Sequence, residues 1–285
     1  MVVVNTETYM KIRKYFSNFQ GLGMHLEQEV IEKFPDIDPI VISAILSKLW
    51  QKHIRNQHQH IVRNAENLLK EYKIAAETKP DPFILLHLAI RERFAPIPFC
   101  RILLTIEYVS KPKSVIGEMI KGPHTIPDRL LAQNVLNCLY NDNVDGPIKD
   151  MVRRTIGEDY EVRLKKLASD AGLEFHDEVY LRRYGYDKTP DLKLAVPCMY
   201  KGKVIYWIES KASFGDMESH KQHIKDQLSS YGNRSVGVRF GSGIIIYWMG
   251  YLDQIATCPE NNDFIFVTDD FPKKEELVLI DLPFK

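Results

Sequence analysis

Thr189-Pro190-Asp191 and Glu209-Ser210-Lys211 bracket the stretch TPDLKLAVPCMYKGKVIYWIESK, residues 189–211. Leu192 to Met199 alternates and is rich in apolar types. Tyr200-Lys201-Gly202-Lys203 supplies a turn with a glycine, and Val204-Ile205-Tyr206-Trp207-Ile208 is β-branched and aromatic. That order predicts a β-hairpin. Asp191 opens the first strand and Glu209 closes the second, so an antiparallel pair brings both carboxylates to one end of a sheet. Side chains repeat with period two along a strand, which puts Glu209 and Lys211 on one face.

Each of these residue types answers a need of one chemistry. Two carboxylates bind a hard divalent cation through oxygen. Such a cation acidifies a bound water and neutralises charge on a phosphate. A lysine ammonium beside it positions the attacking water and holds the charge that develops. Either tripeptide alone is ordinary: a turn aspartate, or a solvated strand edge. The hairpin between them makes the pair a candidate metal-dependent phosphodiesterase site.

Two flanking features add to it. Asp150 to Leu173 carries apolar residues at Val152, Ile156, Tyr160, Leu164, Leu167 and Ala171, a helical spacing, and Gly172 stops it. Glu161 sits mid-helix beside Tyr160, which is expected to face the core; an isolated glutamate there would ordinarily be solvated surface. After the second strand, Gln227 and Tyr231 stand four apart, on one face if the segment is helical. The ordinary alternative is a polar helix surface.

Glu161, Pro190-Asp191, Glu209-x-Lys211 and Gln227-xxx-Tyr231, in this order, resemble the PD-(D/E)xK nuclease superfamily. More narrowly, Gly185 to Asp191 with Trp207 to Asp216 resembles the codanin-interacting nuclease family. Ile246-Tyr247-Trp248 and Gln51-Lys52-His53-Ile54 fit it as well. The likeness is densest from Ile156 to Gly250 and departs at no core position. It implies a restriction-endonuclease-like α/β domain, a four-stranded mixed sheet flanked by helices, with Mg²⁺ or Mn²⁺ bound. It further implies Asp191 and Glu209 as metal ligands, the Ser210 carbonyl completing the shell, and Glu161 assisting directly or through water. Lys211 would be the catalytic lysine, with Gln227 and Tyr231 steadying the lysine or the substrate strand. Codanin as partner, a role around chromatin and red-cell development, and residence in nucleus and cytoplasm are implied by this resemblance alone.

The bulk numbers set bounds. At 285 residues and 45% hydrophobic content the chain is long enough for two domains. No apolar run approaches the roughly 18–20 residues of a membrane span, so no membrane association is expected. Met1-Val2-Val3-Val4 lacks the basic region and long apolar stretch of a signal peptide. Cys100, Cys138, Cys198 and Cys258 are scattered without a CxxC pair. That spacing suggests neither zinc nor disulfides but a reduced, intracellular protein. Lysine plus arginine equals aspartate plus glutamate at 38 each, a mild argument against nucleic acid. The charge is nonetheless local. Lys48 to Lys70 is basic and includes Lys52 and Arg55; Lys188 precedes the Pro-Asp, and His220, Lys221, His223 and Lys225 follow the Glu-x-Lys. Contact with the phosphates of a nucleic acid, DNA favoured, is expected from Lys188, His220, His223, Lys52 and Arg55. A solvated helix face is the alternative for the first cluster, and a surface helix for the two histidines.

The N-terminal half reads as all helix. Asp38-Pro39 is an N-cap followed by a first-turn proline, opening a long helix striped by Ile42, Ile45, Leu46, Leu49 and Ile54. Further helices fit Phe83–Arg91, Pro98–Val109, Ser114–Lys121 and Pro127–Asn141, punctuated by prolines. They are compatible with helix-turn-helix units and equally with a scaffold for a protein partner. The turn-rich 141–147 segment sets the expected boundary, a helical binding domain over 1–145 and a catalytic domain over 146–285. Two functions of different class follow. One is a metal-dependent nuclease; the other is a catalytically silent adaptor that uses the same fold as a binding surface.

Overall fold

The computed structural model describes residues 3–186, 188–228, 240–261 and 264–279. By contacts the chain falls into two compact units: Ile12–Arg154, and Thr155–Lys285 together with Met1–Lys11. The units part inside helices rather than in the 141–147 turn, and the first eleven residues go with the C-terminal unit.

In chain order, β1 is Val3–Val4, α1 Thr6–Asn18, α2 Gly23–Lys33, α3 Pro39–Thr78 and α4 Ile84–Arg91. Then come α5 Pro96–Glu107, α6 Lys113–Lys121, α7 Arg129–Asn141 and α8 Pro147–Asp170. The sequence signals act as expected in α3. The Asp38 carboxylate accepts the Ile40 N–H at 2.8 Å, Pro39 opens the helix, and Val41, Ile42, Ile45, Leu46 and Leu49 are buried along one face. A second buried stripe, Ile61, Ala65, Leu68 and Tyr72, packs with α4 to α7 into one apolar core. Two buried polar residues tie its helix ends together. Asn134 accepts the Leu85 N–H at 2.9 Å and donates to the Asp81 carbonyl at 2.9 Å. Asp142 accepts the N–H groups of Ile97, Val144 and Asp145 at 2.7, 2.8 and 2.9 Å.

The second unit is built on a mixed sheet. β2 is Phe175–Asp177, α9 Glu178–Arg183, β3 Leu192–Tyr200, β4 Lys203–Lys211 and α10 Met217–His223. β5 is Gly243–Tyr247, β6 Tyr251–Leu252, β7 Ile265–Thr268 and β8 Leu277–Leu279. The sheet runs β2-β3-β4-β5-β7, with β8 also on β3. That makes six strands, not the four implied by resemblance: the extra pairings, β2 and β8, share the two ends of β3. β2-β3-β4 is antiparallel and β4-β5-β7 parallel. β3 and β4 form the anticipated antiparallel hairpin, with Leu192 opposite Ile208 and Tyr200 opposite Lys203, slipping between Lys193 and Cys198. Pro197, which has no N–H for the ladder, lies within that irregular stretch. The turn residues Lys201 and Gly202 both have positive φ, 49° and 77°, the two-residue geometry that matches strand twist.

Apolar residues of β3, β4 and β5 pack against Leu164, Ala168 and Ala171 at the end of α8. The α8 stripe does not reach its start: Val152 and Ile156 are exposed, because the core begins only where the helix meets the sheet. Gly243 lies opposite Trp207 on the neighbouring strand. A Cβ there would meet the indole at 2.1 Å, so glycine is what lets Trp207 bury fully. β1 pairs in parallel with β6, Thr6 Oγ1 donates to Asp253 at 2.7 Å, and Tyr9 stacks on Phe214. All four cysteines are buried and free. Among the described residues no helix is long and apolar enough to cross a membrane.

Candidate metal and catalytic centre

The hairpin register leaves Asp191 and Glu209 facing each other at the open end of β3 and β4. Each carboxylate takes a backbone N–H from the other's strand. Ser210 N–H donates to Asp191 Oδ2 at 2.6 Å, and Asp191 N–H donates to Glu209 Oε2 at 3.3 Å. Lys211, two residues on and therefore on the same face, donates from Nζ to Glu209 Oε1 at 2.7 Å. Glu209 is only 7% exposed.

Burial, then the neighbouring Glu209 charge, pushes the Asp191 carboxyl up to about 8, against the opposing Lys211 ammonium and Ser210 N–H. Burial pulls the Lys211 ammonium down, but the Glu209 charge and hydrogen bond, followed by Asp191 and Glu161, more than offset it and leave it above its usual value. His223 is held down to about 3 by burial and then by the Lys211 and His220 charges, so it is neutral. Its Nε2 lies 3.9 Å from Glu209 Oε1 and has no hydrogen-bond partner among the described residues.

Two carboxylates held together away from water repel unless a proton or a cation lies between them. The donor set is hard oxygen throughout. Among the described residues, no three His, Cys, Asp or Glu side chains cluster as a ready-made cage. This suits Mg²⁺ or a similar ion, which takes one or two carboxylates and leaves its remaining positions to water and substrate phosphates.

The other sequence-derived candidates are placed unevenly. Glu161 lies on α8 and is exposed. Its carboxyl is raised by burial, next by the Glu178 charge, with Glu209 contributing last. It is near enough to feel the centre but does not join Asp191 and Glu209 in a three-ligand cluster. Ser210 Oγ accepts the Trp248 indole N–H at 2.8 Å, and Trp248 stacks on Tyr160 with ring centroids 5.2 Å apart. Tyr160 thus meets a partly buried indole rather than the deep core. Lys188 Nζ donates to the Asp226 carbonyl. His220 is fully buried, with Tyr247 Oη 2.9 Å from Nδ1 and Asn261 Oδ1 2.8 Å from Nε2. That corrects the expected phosphate contact: both ring nitrogens are taken by protein groups. His223 also turns inward, toward Glu209. Lys52 and Arg55 lie on α3 in the helical unit, where Arg55 is exposed. Gln227 falls in the π-turn Ile224–Leu228, its side chain outside what is described, and Tyr231 lies outside the described residues.

Sequence reasoning missed Glu178, whose Oε1 takes the Thr189 hydroxyl at 3.4 Å and Arg182 Nη2 at 2.6 Å. It therefore braces the Thr-Pro-Asp run from the neighbouring helix. No local spacing signals this, because the contact depends on β2 pairing with β3. The Trp248 bond to Ser210 was equally hidden, although Trp248 itself stood in the recognised signature.

Comparison with known proteins finds a family and relatives over most of the chain. A family described as a protein of unknown function with a TPD sequence motif matches residues 127–271. CDAN1-interacting nuclease 1 of Homo sapiens is 38% identical over 231 residues, covering 79% of this chain and 80% of that protein. The Xenopus laevis protein of the same name is 38% identical over 256 residues, 87% of this chain and 82% of its own. The Gallus gallus protein is 34% identical over 271 residues, 93% of each. No solved structure matches the chain significantly. The Thr189-Pro190-Asp191 run lies within the matched region, and the chain belongs to the TPD-motif family and to the family of the CDAN1-interacting nucleases.

Proposed function

We propose that this protein is a divalent-metal-dependent nuclease of the PD-(D/E)xK type that hydrolyses phosphodiester bonds of nucleic acid, DNA favoured. The observation that carries this reading is the reciprocal bonding of Asp191 and Glu209 with Lys211 on the same carboxylate. When bound, Mg²⁺ or Mn²⁺ would supply Lewis-acid neutralisation of the phosphate and a more acidic water. Asp191 and Glu209 would hold the ion, with the Ser210 carbonyl as a further oxygen donor. The Ser210 N–H fixes the orientation of Asp191. Lys211, drawn off Glu209, presents its ammonium to the phosphate oxygens and orients the water. Glu161 assists from α8, directly or through water, and Gln227 and Tyr231 steady the lysine or the substrate strand.

The relatives' name supports codanin as the partner of this chain; residence in nucleus and cytoplasm and a role around chromatin are part of the proposal. The helical unit is assigned to substrate or partner engagement rather than to bond cleavage. The alternative reading is a catalytically silent adaptor that uses the same fold as a binding surface. The deciding experiment incubates the purified full chain with Mg²⁺ or Mn²⁺ and labelled single-stranded, duplex, flap and junction substrates. Metal-dependent cleavage that Asp191→Asn abolishes supports the nuclease. Absence of cleavage on every substrate, together with no rise in melting temperature on adding metal, overturns it.

A further inference from the structure

A ladder of aromatic rings stands beside the candidate centre. The His176 and Tyr180 rings are 4.2 Å apart and nearly parallel, at 10°, and Tyr184 follows 4.7 Å from Tyr180 at 38°. Tyr180 and Tyr184 are four residues apart on α9 and its C-terminal cap, so they share a face. Exposure grows outward, from partly buried His176 to 40% at Tyr180 and 68% at Tyr184. Rings packed for core stability would bury their ends; this stack instead leaves its terminal ring in solvent.

Its place in the sheet matters. Asp177 pairs with Leu192 and His176 with Lys193. The ladder therefore starts on the strand next to β3, opposite Lys193 and two residues along from Asp191. Glu178 joins the two through Thr189. The acids at the foot of the ladder are already matched: Lys165 Nζ lies 2.8 Å from Asp177, and Arg182 2.6 Å from Glu178. Arg183 on the same helix and Lys188 ahead of Thr189 add positive charge.

We infer that the His176–Tyr180–Tyr184 ladder is a stacking platform for unpaired bases, which selects a single-stranded stretch of nucleic acid and leads its backbone to Asp191 and Glu209. A π-face accepts any base, and flanking cations follow the phosphates. A duplex keeps its base faces stacked inside the helix and offers the ladder nothing, so the platform favours single strands, frayed ends and flaps. This rests on the nuclease reading and narrows it to a substrate class.

The test is fluorescence anisotropy of the full chain in EDTA, so that binding is read without cleavage. The probes are a labelled thymidylate single strand and a blunt duplex. Tyr184→Ala is expected to weaken single-strand binding by about 5- to 100-fold, the worth of one stacked base, and to leave duplex binding unchanged. Tyr184→Phe, which keeps the ring, is expected to retain wild-type affinity. Equal weakening on both probes overturns the platform. So does unchanged single-strand affinity in Tyr184→Ala. If the wild type binds neither probe in EDTA, the platform falls, while the nuclease reading is decided by its own cleavage assay with metal. If the wild type binds and cuts but Tyr184→Ala makes no difference, only the platform falls.

Discussion

Lys211 Nζ and Glu209 Oε1 lie 2.7 Å apart, so the ammonium holds an oxygen that a bound cation would also use. Lysine and metal are competitors for one carboxylate. Lys211→Ala is therefore expected to abolish cleavage while leaving metal affinity intact or tighter, by up to about tenfold, because a nearby positive charge opposes the ion. Calorimetric metal titration beside a cleavage assay checks both halves. Cleavage at the wild-type rate in Lys211→Ala would overturn the assignment of this centre.

The two carboxylates and Glu161 should rank in order. Asp191→Asn and Glu209→Gln keep shape but each removes an anionic ligand, so cleavage falls to background with the fold retained. Glu161→Gln, outside the two-carboxylate pair, should cost less, roughly 10- to 100-fold, as supporting residues around metals do. Rates compared at saturating Mg²⁺ decide it, and a larger loss at Glu161 than at Asp191 would reverse their roles.

Metal binding should release a proton. The Asp191 carboxyl, raised to about 8 by burial and the Glu209 charge, must ionise to take the ion. Apparent affinity is thus expected to climb as pH rises from about 6 toward 8 and level off above that. Calorimetry at pH 7 in two buffers of different ionisation enthalpy reads the proton directly. Identical heats in both buffers would contradict a protonated Asp191.

Asp142 gives the helical unit a pH signature of its own. Burial raises its carboxyl to about 6, against the three N–H groups that favour the charged form. With the folded value above the unfolded one of about 4, the protonated form's contribution is fully present below pH 4. It is lost as pH rises through 6. The stability advantage of wild type over Asp142→Asn should therefore shrink by about 2–3 kcal/mol between pH 4 and pH 7. Urea denaturation at several pH values measures it, and a gap that widens with pH refutes the shift.

Removal of residues 1–9 should loosen the C-terminal unit. The deletion takes away the Val3–Tyr251 pairing, the Thr6–Asp253 bonds and the Tyr9–Phe214 stack. Amide exchange at Tyr251 and Leu252 is expected to speed up while α4 and α5 keep their protection. Unchanged exchange at Tyr251 and Leu252 would show that this strand contributes nothing.

Much of this protein was legible along the chain. The hairpin from Leu192 to Lys211 was, because alternation, a Lys-Gly turn and β-branched residues are local signals acting within a few residues. So were the Asp38-Pro39 start of α3 and the proline-punctuated helices after it, since caps and prolines act within one turn. The convergence of Asp191, Glu209 and Lys211 followed from the hairpin pairing together with strand periodicity.

Tertiary structure decided what depends on residues far apart. That the first eleven residues belong with the last hundred and thirty rests on β1 meeting β6, for which two valines carry no periodic signal. The same holds for β8 on β3, for Glu178 bracing Thr189, and for His220, whose polar-looking helix turns inward to meet Tyr247 and Asn261. Local spacing specifies which elements form. Only the pairing of strands and the burial it imposes specify which side chains become neighbours, and so which carboxyl is pushed up, which histidine is held down and which tyrosines remain in solvent.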